Sequence, residues 1–253
     1  MKSMSELRVQ VFADGADKAS MIELYRQPYI KGFTTNPTLM RKAGVTDYER
    51  FAREILQHIP DRPISFEVFA DDEAEMERQA RKIARWAGNV YVKIPVTNTR
   101  GEPMYGLIGR LSADGIQVNA TAVLALDQVR DIAQVLRHGA PSYISVFAGR
   151  VADTGCDPVP LMKSALELMA PEPKTQLVWA SPRELLNIFQ ADEIGCHIIT
   201  VTSDVLKKVS LIGKDLHEYS LETVRMFHDD AARSRYTLEL TPEERLVCGS
   251  LGS

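Results

Sequence analysis

The chain has 253 residues, of which 45% are hydrophobic and 25% are charged, and its formal net charge is −4. This composition is ordinary for a globular protein and sufficient for a large core. The negative charge provides no basic field to attract nucleic acid or anionic lipid, so we expect neither a nucleic-acid nor a membrane partner. A site for an anionic substrate must therefore be locally basic.

The start of the chain and its cysteines indicate a cytoplasmic protein. The first residues, MKSMSELRVQV, contain no long apolar run and predict neither a signal peptide nor a membrane span. Cys156, Cys196 and Cys248 are odd in number and widely spaced, which favours a reducing compartment over a disulfide framework. The five histidines show no HxH or HExxH spacing, so we expect no metal site.

Short apolar strands alternate with amphipathic helices along the chain. The predicted strands cover residues 7–13, 32–35, 64–69, 90–96, 116–121, 142–147, 175–180 and 197–202. Each strand is followed by apolar residues at helical spacing. Asp17 is the predicted N-cap of the first of these helices. A capping box formed by Thr46 and Glu49 predicts another helix start, and Ser220 predicts the start of the last helix.

This alternation predicts parallel strands joined by crossover helices. Eight such units close naturally into an α/β fold of the (β/α)8 TIM-barrel type, for which about 250 residues is a common length. We expect a single domain over residues 1–253, with the barrel at about residues 7–213 and an extra C-terminal helix and tail at about 214–253. A doubly wound open sheet is the alternative, although no Gly-rich phosphate loop follows the first strand.

The fourth predicted strand carries a lysine, Lys93, among the apolar residues of VYVKIPVT. Pro95 is expected to end this strand, which places Lys93 near its carboxyl end. Lysine is seldom buried without a reason, and burial favours the neutral amine, which can form a Schiff base with a carbonyl. The alternative is a lysine whose charged end reaches water at the end of the strand.

Polar residues also fall at the carboxyl ends of the other predicted strands, where (β/α)8 barrels gather their chemistry. They are Asp14, Asn36, Glu67, Asn119, Thr121, Ser145 and Ser181, with Arg150 and Arg183 shortly after two of the strands. Each has an ordinary explanation, such as a turn for Asn36 and a helix cap for Ser181. Their convergence favours a site in which two carboxylates flank an amine. The two arginines, Ser181 and a helix N-terminus favour a phosphate site.

Five segments follow one another along the chain, GFTTNPTL, VYVKIPVT, GIQVNATAV, ISVFAGRVAD and WASPRE. In this order they resemble motifs of the transaldolases and the closely related fructose-6-phosphate aldolases. The resemblance runs from about residue 10 to residue 212 and includes Asp14. It implies an enzyme of phosphorylated sugars that uses no metal and no organic cofactor.

The resemblance also implies a role for each site residue. Lys93 would form a Schiff base with the ketose carbonyl, and Asp14 would take the proton of the C4 hydroxyl as the C3–C4 bond breaks. Glu67 and Thr121 would hold the water that moves protons as the Schiff base forms and is hydrolysed. The remaining residues would bind the substrate, with the dihydroxyacetone hydroxyls on Asn36, Asn119 and Ser145, and the phosphate on Arg150, Ser181 and Arg183.

Two positions favour a transaldolase over a lyase. Transaldolases tend to have glutamate on the third strand and phenylalanine two residues after the sixth-strand serine, whereas the aldolases tend to have glutamine and tyrosine. This chain has Glu67 and Phe147. A phenol can donate a proton to a bound enamine and phenylalanine cannot, so the resemblance implies transfer of a dihydroxyacetone unit to an aldose phosphate. A lyase, and a barrel that binds sugar phosphates without turnover, are the alternatives.

Three departures from the family pattern leave the substrate open. Gly15 and Ala16 follow Asp14 where a small hydroxyl residue is frequent, and residues 98–105 form an unusually long link after the lysine strand. The tail after Gly213 has only a general resemblance. An unusual sugar of a secondary or nucleotide-sugar pathway is therefore an alternative to the pentose phosphate pathway. Because short family members tend to form rings, we expect a homo-oligomer.

Overall fold

The structure is a computed structural model that describes residues 2–171 and 173–239. It divides into two compact units, residues 2–210 and the segment that begins at Leu211. The first unit is a (β/α)8 TIM barrel of parallel strands, and the second contains the extra C-terminal helix. The predicted fold class is confirmed, and the open-sheet alternative is wrong.

Eight strands of the described residues close into a barrel in which each strand is parallel to both of its neighbours in chain order. They are β1 (Gln10–Asp14), β2 (Ile30–Thr34), β3 (Ile64–Glu67), β4 (Val90–Pro95), β5 (Val118–Val123), β6 (Ser142–Val146), β7 (Thr175–Trp179) and β8 (Ile198–Thr202). Pairing of β8 with β1 closes the barrel and sets Phe12 opposite Thr200. All the predicted strands are confirmed, with small shifts at their ends.

Helices alternate with these strands. They are α1 (Lys18–Tyr25), α2 (Pro37–Lys42), α3 (Tyr48–His58), α4 (Glu73–Ala84), α5 (Tyr105–Ala113), α6 (Leu126–Val135), α7 (Ala148–Asp153), α8 (Pro158–Met169), α9 (Leu186–Glu193), α10 (Ser203–Leu206) and α11 (Leu216–Ser234). Short 3₁₀ turns lie at Met4–Glu6 and Lys207–Leu211. Across the described residues, no helix combines the length and apolar character that a membrane crossing requires.

Carboxylates cap two helices, α3 and α11, for which hydroxyl residues were the predicted caps. Asp17 caps α1, as predicted. The predicted cap at Thr46 is wrong, because the neighbouring Asp47 caps α3. The predicted start at Ser220 is also wrong, because Asp215 caps α11 and the helix begins earlier. An ionised carboxylate both accepts the free N–H groups and interacts favourably with the positive end of the helix dipole.

The second unit exposes apolar side chains, and the barrel unit contains free thiols. α11 exposes a set of large apolar side chains, Leu216, Leu221, Val224, Met226 and Phe227. Cys156 is exposed and Cys196 is buried, both as free thiols, and Cys248 lies outside the described residues.

An aromatic layer lies inside the barrel beneath a polar one. The rings of Tyr91 and Tyr143 stack with their centroids 3.9 Å apart, and Phe12 meets Tyr143 edge to face at 5.9 Å. Side chains two residues apart on a strand share a face. Two residues further along the same three strands therefore lie Lys93, Ser145 and Asp14. The aromatic rings form the floor of the candidate site.

Candidate active site

Lys93 lies at the centre of the polar layer. The residue is only 6% exposed, and its Nζ lies 3.0 Å from Oε2 of Glu67. The amine also donates a hydrogen bond to the backbone carbonyl of Thr35 at 3.0 Å. The alternative in which Lys93 reaches water is therefore wrong. Glu67, Lys93 and Asn119 lie opposite one another on β3, β4 and β5, so a carboxylate and an amide flank the amine.

Asp14 ends β1 on the other side of the barrel mouth. The hydroxyl of Thr34, which lies opposite Asp14 on β2, donates a hydrogen bond to its Oδ1 at 2.7 Å. Burial raises the pKa of the Asp14 carboxyl, although the charge of Lys93 and the bond from Thr34 act to lower it. A carboxylate whose pKa is raised towards the working pH is suited to accept a proton and return it.

Hydrogen bonds join β6, β5 and β3 beside Lys93. The Ser145 hydroxyl donates to Oδ1 of Asn119 at 2.7 Å, and Nδ2 of Asn119 donates to Oγ of Ser65 at 3.0 Å. All three side chains are buried. The structure thus brings together Asn119 and Ser145, two of the residues predicted to bind sugar hydroxyls. The sequence gives no sign of Ser65, which holds the Asn119 amide in place.

Thr121 lies at an irregularity in β5. The pairing of β5 with β6 shifts between Ala120 and Val123, and Ala122 has a positive φ of 61°. In the part of the chain that is described, the buried Thr121 hydroxyl has no hydrogen-bond partner. A buried hydroxyl in this state is costly, and each such group in a protein calls for an explanation. Thr121 is therefore suited to bind a further polar atom, and its role in holding a water stays a prediction.

The predicted phosphate-binding residues lie at the ends of β6 and β7. Arg150 belongs to α7, and its guanidinium carbon lies 5.3 Å from the centroid of the Phe147 ring. Nε of Arg183 donates to Oδ1 of Asp153 at 2.9 Å, and the same ion pair includes a second, shorter contact. Asp153 also belongs to α7, a helix that the sequence does not predict. This helix therefore carries one arginine and orients the other.

Ser181 approaches the start of α7 through the backbone. Its φ of 61° lies in the left-handed region, which is unusual for any residue other than glycine. A Cβ atom on Gly149 would lie only 1.5 Å from the Ser181 carbonyl oxygen, so a glycine is required there. α9 begins later, at Leu186, and the alternative of Ser181 as its cap is wrong. This close approach brings Ser181 to the helix that carries Arg150.

Asn36 lies at the end of β2 and caps α2. Its Oδ1 accepts a hydrogen bond from the N–H of Leu39 at 2.9 Å, so helix capping accounts for the side-chain oxygen. The amide nitrogen keeps its two donor hydrogens, which suit a sugar hydroxyl. The contact between Asn36 and substrate stays a prediction, restricted to this nitrogen.

Of the predicted link at residues 98–105, the part up to Pro103 forms a compact hairpin after β4, and Tyr105 already begins α5. Thr97 and Pro103 make an isolated antiparallel bridge, and Oδ1 of Asn98 accepts the N–H groups of Arg100 and Glu102, both at 3.0 Å. This segment is thus internally ordered at the carboxyl end of the lysine strand. Its effect on acceptor choice stays a prediction.

Sequence reasoning missed Tyr48, which holds the backbone of Glu67. The Tyr48 hydroxyl accepts the N–H of Glu67 and donates to the C=O of the same residue, both at 2.9 Å. β2 ends at Thr34, so no residue of β2 lies beside Glu67. The carbonyl of Thr35 accepts a hydrogen bond from Lys93 and not from the backbone of β3. The phenol replaces the missing strand neighbour. A tyrosine in the first turn of α3 gives no sequence signal for this role.

Comparisons with known proteins agree with the motifs. The family model described as Transaldolase/Fructose-6-phosphate aldolase matches residues 11–240. A probable transaldolase of Dehalococcoides mccartyi is 34% identical over 202 residues, covering 79% of this chain and 90% of that protein. A probable transaldolase of Clostridium acetobutylicum is 33% identical over 215 residues, covering 85% of this chain and 94% of that protein.

Solved structures share the barrel. An HpcH/Hpal aldolase/citrate lyase family protein from Burkholderia cenocepacia aligns with a TM-score of 0.54 and 14% identity, covering 88% of this chain and 98% of that one. Dihydrodipicolinate synthase from Rhodopseudomonas palustris aligns with a TM-score of 0.53 and 14% identity, covering 87% and 80%. At such identity the likeness concerns the fold alone. The family match and the curated relatives, taken together with the motifs, show that the chain belongs to the transaldolase/fructose-6-phosphate aldolase family.

Proposed function

We propose that this protein is a transaldolase that moves a dihydroxyacetone unit from a ketose phosphate, such as fructose 6-phosphate or sedoheptulose 7-phosphate, to an aldose phosphate. The observation that carries the proposal is the buried Lys93 amine between the Glu67 carboxylate and the Asn119 amide, in a chain of this family. A buried amine beside a base is the arrangement of a Schiff-base nucleophile.

The reaction begins at Lys93. Its amine attacks C2 of the ketose after losing a proton, and Glu67 is the nearest carboxylate to accept that proton. The resulting carbinolamine loses its C2 hydroxyl as water, with a proton returned from Glu67. The hydroxyl of Thr121, which has no partner among the described residues, is suited to hold this water. The product of these steps is an iminium ion on Lys93.

Cleavage of the carbon–carbon bond is assigned to Asp14. Its carboxylate accepts the proton of the C4 hydroxyl, the C3–C4 bond breaks, and the electrons of that bond pass to the iminium ion. The aldose phosphate leaves, and an enamine of dihydroxyacetone stays on Lys93. Attack of the enamine on the aldehyde of an acceptor reverses these steps, Asp14 returns the proton, and water then releases the new ketose phosphate.

The surrounding polar groups support the binding of such substrates. Asn119 and Ser145 present a connected pair of hydrogen-bonding groups next to the amine, where the hydroxyls of the three-carbon unit would lie. Arg150 is exposed on α7, and a guanidinium at a barrel mouth suits a phosphate. Phe147 adds no proton donor near the enamine, which favours transfer over release.

Acceptor dependence tests the proposal. Fructose 6-phosphate is mixed with the protein, and glyceraldehyde 3-phosphate is measured with and without erythrose 4-phosphate. We expect continuous release with the acceptor and no more than one equivalent per site without it. Continuous release of dihydroxyacetone without an acceptor would indicate a lyase. No release under either condition would indicate a barrel that binds sugars without turnover.

A further inference from the structure

A hydrogen-bonded row crosses the seam where the last strand of the barrel meets the first. The hydroxyl of Thr200 on β8 is paired with the hydroxyl of Thr34 on β2, and Thr34 in turn contacts Oδ1 of Asp14 on β1, the strand between them. Thr200 and Thr34 are 5% and 3% exposed. Two buried hydroxyls, one from each strand beside β1, are therefore linked in series to the Asp14 carboxylate.

The donor and acceptor in each hydrogen bond of this row follow from the single hydrogen that each hydroxyl carries. A threonine hydroxyl has one hydrogen to donate, and the Thr34 hydrogen points to the Asp14 carboxylate. Thr34 must then accept in its contact with Thr200, so the Thr200 hydroxyl is the donor. Each donor strengthens the next in such a row, and a hydrogen bond to an ionised acceptor is stronger than one between neutral groups.

We propose that Thr200 is a positioning residue that acts through Thr34 to fix the orientation of the Asp14 carboxylate and to favour its ionised form. This inference rests on the proposed function, in which Asp14 exchanges a proton with the C4 hydroxyl. Thr200 touches no reacting atom. It supplies from the eighth strand the support that keeps Thr34 directed at the base.

Other groups also face Asp14. The charge of Lys93 on β4 favours the ionised carboxylate, whereas the charge of Glu67 on β3 opposes it. A cavity of about 360 Å³ next to Asp14 is lined in addition by Asp17, Lys42 and Asp204. None of these groups is altered by a change at Thr200. A substitution there that keeps the side-chain volume and removes the hydroxyl therefore isolates the effect of the hydrogen-bonded row on Asp14.

The variants Thr200→Val and Thr200→Ser separate the hydroxyl from the volume of the side chain. Thr200→Val should lower kcat about three- to tenfold with little change in KM, and the loss should be greater in acidic than in neutral buffer. Thr34→Val should cause a larger loss of the same kind, because it removes the direct bond. Thr200→Ser should stay within about twofold of the unchanged protein.

The control is Thr175→Val, which removes a buried hydroxyl at the amino end of β7. Thermal melting of each variant reports its folding. If Thr200→Val and Thr175→Val have the same kcat and the same dependence on pH, the inference is wrong. A loss in Thr200→Val that Thr200→Ser does not recover would also overturn it, because the loss would then come from packing.

A titration separates this inference from the proposed function. The carboxyl carbon of Asp14 is followed by nuclear magnetic resonance in protein labelled at aspartate, with Asp14→Asn to assign its signal. Removal of donors to the ionised form must raise the pKa of Asp14, so its titration should move to higher pH in Thr200→Val and further in Thr34→Val. Unchanged titration would contradict the inference even in an active enzyme. A shift without any turnover would support the row and reject the proposed function.

Discussion

At the residue scale, the two carboxylates of the site differ in their surroundings. Asp14 accepts a hydrogen bond from Thr34, and burial raises the pKa of its carboxyl. Glu67 lies instead in direct contact with the amine of Lys93. Two acids in different environments can take different roles, so Asp14 suits proton exchange with the sugar and Glu67 suits the formation of the Schiff base.

Replacement of Asp14 should separate these roles. In Asp14→Asn the general base is lost, so kcat should fall by about 10² to 10⁴. Schiff-base formation should persist, because Glu67 and Lys93 are unchanged. Steady-state kinetics measure the first effect, and reductive trapping measures the second. A variant that loses both equally would show that Asp14 is needed for more than the cleavage step.

The same replacement should stabilise the fold at neutral pH. Since folding raises the pKa of Asp14, the folded state binds its proton more tightly, and the ionised carboxylate destabilises the folded state once the pH exceeds the raised pKa. Asparagine removes the charge and keeps an acceptor for Thr34. Urea unfolding should give Asp14→Asn the higher free energy of unfolding, and this advantage should shrink as the pH falls through the raised pKa. A lower value at neutral pH would contradict the assignment.

Phe147 bears on the choice between transfer and release. Phe147→Tyr introduces a phenol that can donate a proton to the enamine, so dihydroxyacetone release without an acceptor should increase by about tenfold or more. Phe147→Leu is the control, because it changes the ring without adding a donor. The release is measured enzymatically in the absence of aldose phosphate. An equal increase in both variants would show that solvent access, and not the phenol, is responsible.

At the element scale, the end of β2 determines how the site is held. β2 ends at Thr34, and the N–H of Thr35 still donates to the carbonyl of Ser65 on β3, whereas the carbonyl of Thr35 turns to Lys93. Tyr48 bonds to both backbone groups of Glu67. A residue of the outer helix α3 thereby takes the place of a strand neighbour beside Glu67. The position of Glu67 depends on α3 as well as on the barrel.

Tyr48→Phe should reveal this dependence. Loss of the hydroxyl leaves two part-buried backbone groups of Glu67 without this partner, which should lower the free energy of unfolding by about 1–3 kcal/mol. Trapping of the Schiff base should also slow, since the carboxylate is less well held. Tyr29→Phe is a suitable control, because Tyr29 is also part-buried. If Tyr48→Phe loses stability but traps at the normal rate, its role is structural alone.

The strands and the longer helices were predictable from the periodicity of their apolar residues. The short helix α7 and the choice of helix caps were not. Apolar alternation locates the strands, and the barrel follows because strand–helix units are repeated. α7 is too short to show a helical period. The choice between Thr46 and Asp47 as a cap depends on which side chain reaches the free N–H groups, which the sequence does not specify.

The site was predictable as a set of residues but not as a set of contacts. Strand ends of a closed barrel meet at one mouth, so Asp14, Glu67 and Lys93 were expected to converge. Thr34 and Thr200 are separated by 166 positions and meet only because β8 closes on β1. A pairing of this kind depends on the register between β8 and β1. The sequence does not indicate it, because neither threonine differs from an ordinary buried strand residue.

At the scale of the whole barrel unit, a buried carboxylate joins the start of the chain to its ninth helix. Asp192 on α9 accepts hydrogen bonds from the N–H groups of Arg8 and Val9 at 2.6 and 3.1 Å, and from Nζ of Lys2 at 2.6 Å. Burial alone would raise the pKa of Asp192, but these bonds outweigh burial and lower it. The segment before β1 is thereby fastened next to the closing strands.

Asp192→Asn should weaken this connection in a way that depends on pH. Because folding lowers the pKa of Asp192, its stabilising contribution is present above the unfolded pKa and is lost as the pH falls through the folded one. At neutral pH the free energy of unfolding should fall by about 1–3 kcal/mol, with little difference in strong acid. The exposed Asp230→Asn is the control. A constant difference at all pH values would show that the charge of Asp192 is not involved.

Reductive trapping on the intact protein is the most direct test of a Schiff base at Lys93. With fructose 6-phosphate and borohydride, we expect a three-carbon adduct located by peptide mapping on Lys93. Asp14→Asn should instead retain the whole six-carbon ketose phosphate on the same lysine, because the C3–C4 bond no longer breaks, and Lys93→Met should form no adduct. Absence of an adduct in the unchanged protein, or an adduct on another lysine, would show that Lys93 does not form the Schiff base.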